Sequence, residues 1–117
     1  MYRAKNIARY IVDKCIRDGC PVNNLQLQQL LFLIQKRYDE EQGLPCFADD
    51  METRPFGPCC PNVYYQYCHY GVMPITFSFD SVPILPAKDK YVIDSVIGEF
   101  ICRSSSFQTI RIKEVVL

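Results

Sequence analysis

A chain of 117 residues with 49% apolar content can bury one core and hardly a second. Thirteen basic residues balance thirteen acidic ones and neither sign forms a long run, which argues against a dedicated nucleic-acid or membrane-surface binder. No apolar stretch approaches the roughly 20 residues of a spanning helix, so a cytoplasmic chain without leader or anchor is expected.

Ala4, Ile7, Ala8, Ile11, Val12, Cys15 and Ile16 recur at helical spacing, and the spacing predicts an amphipathic helix over residues 2–18. Gly19 and Pro21 stop it. A second helix starts with Asn23 as cap, Gln26 placed to reciprocate, and Val22 able to pack on Leu27. Its centre, LLFLI at residues 30–34, is apolar almost all round, so this helix is expected to be the buried axis of the domain, ending before Gly43 and Pro45.

The following stretch, METRPFGPCC, reads as a rigid loop: Pro55 and Pro58 fix backbone angles and Gly57 permits one closed to other residues. Pro61 suits the first position of a short third helix over residues 61–70, which Gly71 ends. Alternation of Ile75, Phe77 and Phe79 with Thr76, Ser78 and Asp80 predicts a short extended edge, at most a small hairpin, closed by Pro83 and Pro86. A fourth helix over residues 88–102 carries Val92, Ile93, Val96, Ile97, Phe100 and Ile101, and Ser104 to Ser106 are expected to break it. The tail FQTIRIKEVVL fits strand or helix. The fold class is therefore mainly α: one compact helical domain over residues 1–117 around a buried central helix, with a short hairpin or extended segment.

Seven cysteines are an odd number for a stapled secreted domain, and reduced thiols are the default expectation. Cys46, Cys59, Cys60, Cys68 and His69 could ligate zinc, but Cys59-Cys60 and Cys68-His69 lack the spaced pairs of structural sites. An enzyme built on Cys60 and His69 fits poorly, since the two would stand about 15 Å apart at opposite ends of the third helix. No catalytic residue, metal ligand or cofactor site is expected. A helix-turn-helix role suits the second helix badly, because LLFLI leaves few polar positions for base edges.

Three segments in order, IARYIVDKC, NNLQLQQLLFLIQK and M-x-x-x-PFGPCCPNVYYQYCHYG, resemble the SocA-like Panacea domain family over residues 4–75. Leu27, Leu30, Leu31 and Phe32 match its second-helix pattern, and Glu52, Phe56, Gly57, Pro58, Pro61, Val63, Tyr64 and Gly71 match its second motif. Arg54 stands where the family commonly has tryptophan and Gln29 where it has lysine, which leaves the partner's identity open. The resemblance implies a non-enzymatic protein-binding domain, an antitoxin that neutralises a toxin encoded nearby, with one family member acting as an adaptor that presents its toxin to a protease. A phage-encoded accessory interaction protein is the alternative, and a DNA-binding regulator a lesser one. Helical spacing on the third helix gathers Val63, Tyr64, Tyr67 and Tyr70 on a core side and Asn62, Tyr65, Gln66 and His69 on an outer side. Arg54, Phe56, Gly57, Pro58, Asn62, Tyr65, Gln66 and His69 are the candidate partner contacts.

Overall fold

The computed structural model describes residues 1–78 and 81–116, with side chains through Arg103. Helix α1 spans Ala4–Arg17 and buries the predicted stripe, from Ala4 through Cys15. Beyond Asp18, Gly19 takes a φ of 75°. There the Cys20 N–H reaches the Cys15 carbonyl at 2.9 Å and the Gly19 N–H the Ile16 carbonyl at 3.0 Å, which satisfies carbonyls the helix would leave unpaired. Helix α2, Asn24–Gln42, opens on the expected capping box: the Gln26 N–H donates to Asn23 Oδ1 at 2.8 Å and the Asn23 N–H to Gln26 Oε1 at 2.9 Å.

The central position of α2 holds, since α1, α3 (Pro61–Tyr67), α4 (Ala87–Val116) and the strand β2 (Gly57–Cys59) all pack against it. It is not covered all round. Leu30, Leu31 and Ile34 are fully buried, whereas Phe32 is 45% exposed, because three of five consecutive residues already fill the inward face of a helix.

The small sheet lies elsewhere than expected. Strand β1, Glu52–Arg54, pairs antiparallel with β2 in the register Glu52↔Cys59, Thr53↔Pro58 and Arg54↔Gly57, which leaves Pro55 and Phe56 as a two-residue turn. Gly57 at a φ of 122° makes the turn possible. The segment read as a rigid loop is thus a hairpin. Residues 74–78 form no strand: Ile75 is buried and its N–H bonds the Val22 carbonyl at 2.8 Å, but Phe77 is 66% exposed. The connector offers that one backbone acceptor and no strand edge, so alternation in the sequence finds nothing to pair with. Phe79 and Asp80 lie outside the described residues.

Helix α3 follows β2, with Pro61 at its start; a 3₁₀ turn over Cys68–Tyr70 prolongs it until Gly71 at a φ of 60°. Helix α4 is not broken at Ser104 to Ser106 but runs to Val116. Serine costs a helix only about half a kcal/mol per residue against alanine, and with neither Gly nor Pro in the run the helix continues. The side chains of residues 104–116, on which a choice of helix face for Val115 and Val116 would rest, lie outside the described ones, as does Leu117. Among the described residues no helix is long and apolar enough to cross a membrane.

Tyrosine hydroxyls fasten α4 to the body. Tyr2 and Tyr38 each donate to Asp89 at 2.6 Å, and Tyr10 donates to Asp94 at 2.6 Å. The two hydroxyls hold the Asp89 carboxyl below the usual carboxylate range, and burial with the same hydrogen bond pushes Tyr2 up to about 12 and raises Tyr38 as well. The folded carboxyl titrates below the unfolded one, near 3.9, so the stability Asp89 contributes is present above that pH and is lost as pH falls through its lowered pKa. The raised tyrosines contribute below about pH 10 and lose that contribution as pH rises toward their folded values. Asp89→Asn should therefore flatten the acid limb of a stability–pH profile, measured by urea unfolding, and shrink the alkaline limb without abolishing it, because Tyr2 and Tyr38 lose the Asp89 charge but stay desolvated and Tyr10 keeps Asp94.

Candidate partner-binding surface

Two glutamines one heptad apart on α2 set the geometry of the surface. The Gln28 side chain is fully buried; its Oε1 accepts the Cys60 N–H at 2.8 Å and its Nε2 donates to Asn24 Oδ1 at 3.0 Å. Asn24 Nδ2 in turn donates to the Tyr64 carbonyl at 3.0 Å, so a buried chain of amides grips both the start and the middle of α3. Gln35 does the same for the preceding loop: Oε1 accepts the N–H groups of Cys46 and Phe47 at 2.8 and 3.2 Å, and Nε2 donates to the Phe47 carbonyl at 2.9 Å. The N-terminus closes over that loop through a parallel bridge between Tyr2 and Phe47. Buried backbone groups with no secondary-structure partner are thereby satisfied, and the hairpin and α3 are held rigidly on the central helix.

On this platform the candidate contacts divide into three groups. Phe56, 41% exposed at the hairpin tip, stacks on Tyr64 with ring centroids 5.5 Å apart, and Tyr64 meets Tyr65 edge-on at 5.7 Å. Arg54 makes an ion pair with Glu52 at 2.7 Å across the same strand, and the charge-assisted hydrogen bond raises its already high pKa. Gly57 and Pro58 shape the turn beneath and are half-buried. Asn62, Tyr65 and Gln66 form a second group at a groove of about 850 Å3, where they face Arg3, Lys5 and Asp49. His69 stands apart, exposed at the far end of α3 with its ring 4.5 Å from Tyr70.

The faces of α3 follow the helical spacing in part. Val63 and Tyr67 are buried and Asn62, Tyr65 and His69 exposed, but Gln66, expected outside, and Tyr70, expected in the core, are half-buried, and so is Tyr64. The hairpin tip, not the core, supplies its packing partner, Phe56. Absent from the sequence-derived set is Asp49, which accepts the Ala4 N–H at 2.8 Å and Asn62 Nδ2 at 2.7 Å and so ties the start of α1 to α3. The Ala4 N–H above all holds its carboxyl below the usual range. Neither Asp49 nor Gln28 carries a local signal beyond a polar residue beside apolar ones.

All seven cysteines are unpaired. Cys60 caps α3 yet burial pushes its thiol up, against the direction a nucleophile requires, and burial pushes Cys46 up to about 12. Among the described residues no three His, Cys, Asp or Glu side chains gather closely enough to hold a metal ion.

No family model matches the chain, and no solved structure does. Among curated proteins, the antitoxin SocA of Caulobacter vibrioides (strain NA1000 / CB15N) is 34% identical over 68 residues, which make up 58% of this chain and 36% of the antitoxin. The chain has a distant antitoxin relative and aligns with little more than a third of that protein's length.

Proposed function

We propose, from this relationship to an antitoxin, that the chain is a non-enzymatic protein-binding module of the Panacea type. It engages a partner toxin in the cytoplasm through the hairpin tip and the outer face of α3. The observation that carries the reading is the aromatic ladder Phe56–Tyr64–Tyr65, exposed at its ends on a platform whose backbone is fastened to α2. Aromatic side chains give large contact area at low entropic cost, and a platform that needs no ordering binds without that loss. Occluding a toxin and handing it to a protease both need such a surface, and Arg54 in the place of a family tryptophan directs it to a partner of its own.

The test is to look for a small reading frame adjacent to this one and to co-express the two. Toxicity of that frame alone, relieved when this chain is present, supports the reading; a harmless neighbour rejects it. Within a complex so obtained, Tyr65→Ala should leave the melting temperature near wild type and weaken binding by more than about 1 kcal/mol in a titration. Tyr64→Ala should cost about 1–2 kcal/mol of stability, less than a core tyrosine would, because its half-buried ring packs on the exposed rings of Phe56 and Tyr65. A Tyr65→Ala variant that binds like wild type would remove α3 from the contact surface.

A further inference from the structure

The groove between the start of α1, the loop around Asp49 and α3 has an uneven charge balance. Lys14, Arg17, Arg37 and Arg54 all have a carboxylate within ion-pair distance. Among the described residues Arg3 and Lys5, both exposed, have no such ion pair, nor have Lys36, Lys88, Lys90 and Arg103; Arg3 and Lys5 are set apart by lining one groove together. The carboxylate lining the groove, Asp49, accepts from the Ala4 N–H and Asn62, neutral donors that leave its charge in place beside Arg3, and Asp50 does not line the groove. The groove thus carries two cations against one carboxylate, a net positive charge, with the 64% exposed ring of Tyr65 and the amide of Gln66 open to a ligand. The first N–H of α1 is already taken by Asp49, and the opening of about 850 Å3 is far larger than an inorganic anion. Both features favour a stretch of chain over a small ion.

We propose that this groove receives an acidic, extended segment of the protein partner, with Arg3 and Lys5 meeting its carboxylates and an apolar side chain of the segment lying against Tyr65. The inference rests on the protein-partner reading above and adds the chemistry of the segment. Charge complementarity of this kind fixes partner choice and approach more than total affinity, and exposed pairs fade with salt.

A fluorescein-labelled peptide of alternating Glu and Asp around one Phe, and its counterpart with Lys at every acidic position, serve as probes. Polarisation should show the acidic peptide binding at least about tenfold tighter than the basic one, with affinity falling between about 50 and 300 mM salt. The amides of Lys5, Ala48, Tyr65 and Gln66 should shift in an NMR titration. Arg3→Glu/Lys5→Glu, at two exposed positions, should melt like wild type and bind the acidic peptide at least about tenfold more weakly. Binding unchanged in that variant, shifts elsewhere on the surface, or no preference between the peptides overturns the proposal. Expressing the variant with the adjacent toxic frame separates the two readings. Protection as good as wild type overturns the groove and leaves the antitoxin function standing, whereas failure of the wild-type chain to protect, with the peptide data as expected, rejects the antitoxin function and keeps the groove.

Discussion

Leu31→Asp should abolish the cooperative thermal transition. Leu31 is fully buried at the centre of α2, in the cluster that joins residues of α1, α3 and α4. A carboxylate there loses its hydration with no cation in the apolar surroundings, and staying neutral instead costs proton uptake at pH 7. Either route adds several kcal/mol to the loss of leucine packing, against a total stability of about 5–15 kcal/mol for a domain of this size. Circular dichroism on heating reads the outcome directly. A sigmoidal melt near the wild-type temperature would mean that α2 is not the axis of the core.

The next largest effect is expected from Gln28→Leu, which keeps side-chain volume and removes only polar atoms. The Cys60 N–H would lose its acceptor and Asn24 its donor, both in buried positions. Each of the two orphaned groups costs about 1–3 kcal/mol, so a loss of about 2–6 kcal/mol in urea unfolding is expected. The Cys60 amide should also exchange with solvent faster than in wild type, since its hydrogen bond holds the junction of β2 and α3. Gln35→Leu provides the comparison: Cys46 and Phe47 are buried too, but Gln35 itself is half-buried, so water can enter from its open side and replace part of the lost bonds, and a smaller cost of about 1–2 kcal/mol is expected. Equal effects of the two substitutions would show that burial of Gln28 does not matter.

The elements legible in the sequence are those whose causes are local. The period of α1, the Asn23–Gln26 box and the Pro61 start of α3 each need only neighbours a turn away, and all appear where expected. The hairpin is not legible in the sequence because alternation at residues 75–79 is the stronger strand signal, while a two-residue turn at Pro55–Phe56 depends on Gly57 adopting a φ no other residue favours. Asp49 on α1, Gln28 on Cys60 and the tyrosines on Asp89 join residues 45, 32, 51 and 87 positions apart, and no periodicity encodes such pairs. Of the candidate contacts, the outer face of α3 was readable in part from spacing. The pairing of Asn62, Tyr65 and Gln66 with Arg3 and Lys5 required the fold.

Gln28 and Gln35 hold their loops by main-chain atoms alone: the amides of Cys46, Phe47 and Cys60 and the carbonyl of Phe47. Every amino acid offers that carbonyl and all but proline that amide, so the grip is indifferent to which side chains the loops carry. Residues 48–58 can consequently diverge at their exposed positions while the frame beneath keeps its shape. On the proposed partner-binding reading, a scaffold so arranged separates inheritance of form from choice of partner, since Arg54 and Phe56 at the hairpin tip can vary without touching the interior.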